Sequence, residues 1–410
     1  MRLLILGHTF PEPTTTAAGG RMMQLIQLFE EEGYDITFAS TATPSERSVK
    51  LKEMDIRVEK IVLNCPSFDV FISKLKPDFV LFDRFNSEEQ FGWRVADHCP
   101  DAVRILDTED LHFLRKARQE AVKQNIPVFR AYLFTDTARR ELASILRCDI
   151  SLIISEVEME LLQTTFGIPK GLLYYLPFLV EDLSKEKFKA LPNFEERDHF
   201  LTIGNFQHAP NTDSVIFLKE EIWPRVKEQL PEAEIHVYGA YEPKQITDMN
   251  NITEGFMIKG WTQDVSEVMK KARICLAPLR FGAGLKGKLL DAMLSGTPSV
   301  TTSIGSEGLV GEFPFAGMIE DEIDGFVKAA VSLYSEKEPW LEAQQNGFRI
   351  VDNRFQKTSF SEGFKQKIKN LQQNLSSHRT QNFIGQILQH QSLQATKFMS
   401  KWIEEKSRKY

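Results

Sequence analysis

Two Rossmann-like, doubly wound α/β domains facing each other across a cleft, with a helical C-terminal extension, are the class this 410-residue chain predicts. Three observations predict it. Short apolar runs alternate with helical patterns, the alternation restarts after a Pro- and charge-rich stretch, and strand-like runs cease after about Glu336.

The first cycle opens with LLIL at residues 3 to 6, stopping at Gly7, and a Pro/Thr/Gly loop follows. From Arg21 to Glu32 the apolar residues Met22, Leu25, Ile26 and Phe29 fall on one helical face. The runs DITFAS, IRVEKIVL, DFVLFD, VRIL and DISLII then recur with helical patterns between most of them, which predicts a parallel sheet covered on both faces. Residues 177–198 read as a linker between a domain at 1–176 and a second at 199–345, whose strands are HFLTIG, EIHVYG, GFMIKG, RICLAPL, PSVTT and FAGMI. Residues 346–410 read as helices, the first crossing back to the N-terminal domain. The last forty residues hold seven Gln, with apolar positions at Phe383, Ile384, Ile387, Leu388, Leu393, Phe398 and Trp402. They read as a helix packed on its own domain, with an oligomerisation helix as the alternative.

Composition narrows the function classes. An apolar content of 42% and a charged content of 26% are those of a globular protein, and a net charge of −7 argues against a nucleic-acid partner. Cys65, Cys99, Cys148 and Cys275 form no C-x-x-C pair or Cys/His cluster, so neither a disulfide framework nor a zinc site is expected. No window approaches eighteen apolar residues, and a cytoplasmic protein in a reducing compartment is the expectation.

The chemistry concentrates at RFGAGLKGKLLDAMLSGTPSVTT, residues 280–302. A strand, ICLAPL, feeds a glycine loop and then a helix from Lys286 to Leu294. Helix N-termini present unpaired N–H groups and a positive dipole end. Gly282 and Gly284 permit close approach of an anion, while Lys286 and Lys288 stand in the first turn, where a purely structural helix prefers acids. Such placement costs roughly 0.3–1 kcal/mol per lysine unless an anion offsets it. The plain alternative is a tight turn with solvated lysines. The stretch does not complete G-x-x-x-x-G-K-[ST], because Leu289 follows Gly287-Lys288. Asp291, further along the same helix, is placed to accept from a ribose diol.

The stretch GAGLKGKLLDAMLSGTPSVTTSIGSEGL resembles the donor-binding segment of family 4 glycosyltransferases, retaining enzymes of the GT-B fold. FPEPTTTAAGGRMMQLIQLFEEEGYDITFAST, LDTEDLHFLRKAR, ISLIISEVEMELL, LTIGNFQHAPNTDSVIFLKEEIWP and GWTQDVSEVMKKARICLAPL resemble the same family in the same order, covering roughly residues 1 to 350. The resemblance implies a nucleotide diphosphate sugar as donor substrate, no other cofactor, and a saccharide, lipid-linked or protein-linked hydroxyl as acceptor. Asp291 takes the position of the second glutamate of the family's pair, the one associated with the ribose. Ala283 stands at the position of the first, so its work would pass to the backbone N–H groups of Ala283, Gly284 and Leu285 or to Glu307. The Arg/Lys pair that often follows the first strand of the second domain is missing from Gly204-Asn205-Phe206-Gln207-His208, and Lys286, Lys288 and Arg280 are expected to neutralise the diphosphate instead.

In the first domain His112 matches the family's active-site histidine, with Asp110 orienting its ring or meeting the acceptor. Asp107 and Thr108 read as a helix cap. Gly19 and Gly20, read as preceding a helix that starts at Arg21, form a close-approach loop or a plain turn, and Trp261 lines a nucleobase pocket or a rim. No D-x-D metal signature is present, so metal-independent transfer is expected, with Lys286 stabilising the departing phosphate. Between Leu111 and Arg147 eight Lys/Arg stand against three Asp/Glu, interleaved with Phe113, Phe129, Tyr132, Leu133 and Phe134. That surface reads as a solvated face or as a peripheral contact with the inner face of a membrane. A nucleotide-sugar epimerase, or a non-catalytic sugar-nucleotide-binding partner of another transferase, are the competing functions on the same fold.

Overall fold

The computed structural model describes residues 1–181, 188 and 190–407, with the side chains of 392–394 set aside; the middle of the expected linker and the position of Leu393 therefore lie outside the described residues. Seven strands, β1 (Arg2–Gly7), β2 (Asp35–Ser40), β3 (Arg57–Lys60), β4 (Phe79–Asp83), β5 (Val103–Asp107), β6 (Ile150–Ile153) and β7 (Leu173–Tyr175), form one parallel sheet in the order β3-β2-β1-β4-β5-β6-β7. Six more, β8 (Asp198–Ile203), β9 (Ile235–Tyr238), β10 (Phe256–Gly260), β11 (Ala272–Ala277), β12 (Ser299–Thr301) and β13 (Gly317–Ile319), form a second in the order β10-β9-β8-β11-β12-β13. The central strands are continuous apolar runs because helices cover both faces; every residue of β4 is buried.

In the first sheet β1 and β4 are neighbours although β2 and β3 intervene in sequence, and in the second β8 and β11 are neighbours in the same way. At such a switch point the following loops turn to opposite faces and leave a crevice beyond the carboxyl ends of the strands. Both crevices open toward each other. The helices α1 (Ala17–Glu31), α2 (Ser67–Leu75), α3 (Arg84–His98), α4 (His112–Lys123), α5 (Asp136–Arg147) and α6 (Glu156–Thr164) belong to the first sheet.

The C-terminal helices tie the halves together. Helix Lys337–Arg354 places Trp340, Ala343, Ile350 and Val351 in the cores of the second half. Helix Lys357–Gln373 crosses back, and its Phe364, Ile368 and Leu371 pack with Phe29 and Leu25 of α1. The last helix, Phe383–Ser407, lies against α5 and α3, held by Lys397 to Asp97 at 2.9 Å and by Arg94 to Glu404. Among the described residues no helix is long and apolar enough to cross a membrane.

Two local expectations are corrected. Helix α1 begins at Ala17 rather than Arg21, because Thr16 caps it by accepting from the Gly19 N–H at 2.9 Å, so Gly19 and Gly20 are its first turn and not a preceding loop. Asp107 caps no helix; it is buried in an ion pair with Arg21 at 2.8 Å, and α4 starts five residues later.

Candidate active site

The loops beyond β1, β4, β8 and β11 line one cavity of about 780 Å³ between the two halves. Three helix N-termini point into it. Ala17 and Ala18 of α1, Pro210 and Asn211 of helix Ala209–Phe217, and Gly287 and Lys288 of helix Gly287–Leu294 are all wall residues. The last two helices have no side-chain cap; helix Gly287–Leu294 opens its first N–H groups and dipole to an anionic ligand, whereas helix Ala209–Phe217 offers chiefly its dipole, since Pro210 has no N–H and the Asn211 N–H donates to the His208 carbonyl at 2.9 Å.

Backbone approach is close where it matters. At Gly204 a Cβ would sit 2.5 Å from Asn211, whereas at Gly20 it would meet nothing within 4 Å and would project into open space. Gly284 has φ +62°, and its Cβ would fall 2.9 Å from that of Asp110; Gly287 would meet Ala17 at 2.7 Å. The halves therefore touch where the two crevices meet, through residues with little or no side chain.

The two lysines are cavity residues. Lys286 donates to the Gly284 carbonyl at 2.7 Å and Lys288 to Asn211 Oδ1 at 2.8 Å. Burial pushes each down to about 8, so each ammonium is desolvated yet charged at neutral pH. Asp291 also lines the cavity, one turn beyond Lys288, and burial pushes its carboxyl up to about 7. Gly282, Ala283, Leu285 and Asn205 complete this side of the wall.

On the opposite wall stand Asp110 and His112. Three N–H groups at the start of α4 are taken by two buried glutamate side chains. Leu111 N–H donates to Glu158 at 2.9 Å, while His112 and Phe113 N–H donate to Glu141 at 3.1 and 2.9 Å. This fixes the backbone of His112, and Phe85 meets its ring edge-on at 5.4 Å between centroids. Burial drives the imidazole down to about 3, outweighing the pull of Asp110 3.5 Å away, so the ring is neutral and can donate or accept a hydrogen bond. Burial would raise Asp110, but Arg115, with which it pairs, holds it far below the usual carboxylate range.

Three sequence-named residues fall outside the cavity wall. Arg280 pairs with Asp213, 2.9 Å from Nε, and lies over Phe217, so its charge is spent on helix Ala209–Phe217 and not on a diphosphate. Glu307 is held in a bidentate pair by Arg118 of α4, both contacts 2.7 Å, which takes it out of the role left open by Ala283. Gly284 cannot offer its N–H either, since that group donates to Glu158 at 2.8 Å. Ala283 packs into the core of the first half. Trp261 is a rim residue, 37% exposed, whose indole donates to the Thr14 carbonyl at 3.2 Å across the cleft.

Sequence reasoning missed Arg84, Arg115, His208 and His8, all in the wall beside Glu109 of the DTED stretch. Arg84 and Glu109 hold left-handed backbone at φ 67° and 62°, a strain of about 1–3 kcal/mol that surrounding structure must impose. No local spacing marks them. DTED is legible as a strand end at the expected cleft edge, and the rule that ligands bind at switch points could have nominated Arg84 of FDRF as well. Among the described residues no group of three or more His, Cys, Asp or Glu is arranged to hold a metal ion.

Residues 197–336 match the family model described as glycosyl transferases group 1. Solved structures extend the likeness to the whole architecture. Sucrose-phosphate synthase from Thermosynechococcus elongatus superposes with a TM-score of 0.67 at 13% identity, over 90% of this chain and 99% of that one. The fold is GT-B. HepE of Anabaena in complex with UDP and glucose gives 0.63 at 12% identity, over 90% and 99%. WaaG, a glycosyltransferase involved in lipopolysaccharide biosynthesis, gives 0.59 at 12% identity, over 88% and 98%. Identities this low establish the shared GT-B architecture, and the sequence match of the second domain supports sugar transfer. No curated protein matches the chain.

Proposed function

We propose that this protein is a retaining, metal-independent glycosyltransferase that moves a sugar from a nucleotide diphosphate sugar to a hydroxyl acceptor. The observation that carries the reading is the convergence of two buried lysines with three helix N-termini on one cavity at the switch points of both sheets. As the donor bond breaks, negative charge grows on the β-phosphate; Lys286, Lys288 and the uncapped N-terminus of helix Gly287–Leu294 face that charge in a partly desolvated site. Asp291 receives the ribose hydroxyls. The family's usual donor-sugar glutamate is absent at Ala283, and Gly284 and Glu307 are committed elsewhere; of the other wall acids Asp83, Glu109, Asp110 and Glu181, we assign to the sugar Glu109 and Asp110, which stand beside His112 in the sequence.

His112, held neutral, hydrogen-bonds the transferred sugar, and the departing phosphate assists removal of the acceptor's proton on the same face. Such front-face attack retains the anomeric configuration and needs no side-chain nucleophile. That HepE was solved with UDP and glucose favours a UDP-sugar as the first donor to test, and the link of WaaG to lipopolysaccharide favours a role in surface polysaccharide or glycoconjugate synthesis.

The exposed aromatics Phe129, Tyr132 and Phe134, beside Arg130 and Lys123, support peripheral contact with an anionic membrane and a lipid-linked acceptor. The outward Phe383, Ile384, Phe398 and Trp402 support self-association through the last helix. The deciding experiment measures release of nucleoside diphosphate with and without added acceptor. Acceptor-dependent release that falls about 10²–10³-fold in His112→Ala is expected. Equal turnover in both proteins points to a non-catalytic binder, and interconversion of the sugar without any acceptor points to an epimerase.

A further inference from the structure

A second, smaller pocket of about 230 Å³ lies at the opposite end of the first sheet, among Arg104 at the start of β5, Arg147 at the end of α5, and Arg379, Gln386, Gln389 and His390 of the C-terminal helices. Some of its polar groups are fully employed. Asp149 accepts from the Arg104 N–H at 2.8 Å and from Arg379 Nε and Nη2 at 2.7 and 2.8 Å. Glu88 takes Nε and Nη2 of Arg147.

Others lack a hydrogen-bond partner among the described residues, although Arg104 keeps Asp149 as an ion-pair partner. The Arg104 side chain is 11% exposed, its Nε is buried without a hydrogen-bond partner, and the nearest carboxylate oxygen, on Asp149, stands 3.6 Å away. Both the amide nitrogen and the amide oxygen of Gln389 are buried and unpartnered. Buried donors and acceptors are almost always satisfied, so the unpartnered Gln389 amide and Arg104 Nε, on two residues lining one hollow, point to an occupant. The balance of three guanidinium groups against Asp149 and Glu88 is positive, with His390 adding to it when protonated. The volume lies below the roughly 300–1,000 Å³ of sites for drug-sized molecules, so the occupant is small.

We propose that this pocket is a ligand site for a small phosphate monoester bearing hydroxyl groups, which clasps the C-terminal helices to the first domain. The Arg104 guanidinium and the Gln389 amide N–H donate to the phosphate oxygens, and Gln389 Oε1 accepts from a ligand hydroxyl. Since the pocket sits at the amino ends of β5 and β6 and the large cavity at the carboxyl ends of the strands, the two sites are separate.

The test titrates the full-length protein by calorimetry with glucose 6-phosphate, inorganic phosphate and glucose, in wild type, Arg104→Gln, Gln389→Leu and the large-cavity variant Lys288→Met. Glucose 6-phosphate is expected to bind wild type and Lys288→Met alike, to bind at least tenfold more weakly to Arg104→Gln and Gln389→Leu, and to slow amide hydrogen exchange in residues 379–390. Inorganic phosphate should bind more weakly, and glucose alone not at all. Gln389→Glu, which sets a like charge beside the phosphate on an otherwise intact helix, should also abolish binding. A pocket holding water only would give no heat with any probe. That result, or equal binding by all variants, or a loss confined to Lys288→Met, overturns the proposal.

Discussion

Asp291 has a carboxyl pushed up to about 7 by burial, against an ordinary value near 4. The sign of its effect on the ligand-free protein follows. A group raised on folding supports stability fully below its unfolded value and loses that support as pH rises through the folded one. Asp291→Asn should therefore raise Tm more at pH 8 than at pH 5, while weakening nucleotide binding about tenfold through loss of a charged acceptor for the ribose. A thermal melt at both pH values, with and without UDP, reads both effects. His112 and Asp291 were legible as residues because the sequence keeps them in motifs. What the sequence does not carry is which neighbours are already engaged. Arg280 next to Asp213, and Glu307 next to Arg118, are separated by 67 and 189 positions.

At the scale of elements, the strands and the two sheets were legible because apolar runs and Gly/Pro stops are local signals. The three-residue β7 was not, since LYY is too short to show a period. The glycine loop makes a graded prediction. Gly284→Ala puts a Cβ at φ +62° and 2.9 Å from Asp110, which should cost about 1–2 kcal/mol and separate the halves. Gly282→Ala meets its nearest neighbour, Lys286 Cε, at 3.4 Å without positive φ, and should be close to neutral. Chemical denaturation and activity of both variants check the order. Equal losses would mean that the tight junction is not what the loop's shape serves.

In the whole molecule, side chains that bridge the cleft set how its two walls meet. Arg118 binds Glu307 and the Gly282 carbonyl, Glu158 joins the N–H groups of Leu111 and Gly284, and Tyr241 donates to Glu12 at 2.9 Å. Breaking the first bridge with Arg118→Met should widen the particle in solution scattering and lower kcat more than it weakens donor binding, because the donor's cradle belongs chiefly to one half. A double-mutant cycle with Glu307→Gln should return a coupling of about 0.5–3 kcal/mol. Additive effects would show that the bridge does not hold the closed form. The central claim is that Lys286 and Lys288 cradle a diphosphate, and calorimetric titration with UDP tests it most directly. Both ammonium groups sit near 8 in the free protein. A bound diphosphate raises them, so UDP should take up protons at pH 8.5, read from two buffers of different ionisation heat, and Lys286→Met with Lys288→Met should cut affinity at least a hundredfold and abolish the uptake. Unchanged affinity in the double variant, or UDP binding without proton uptake, would contradict the account.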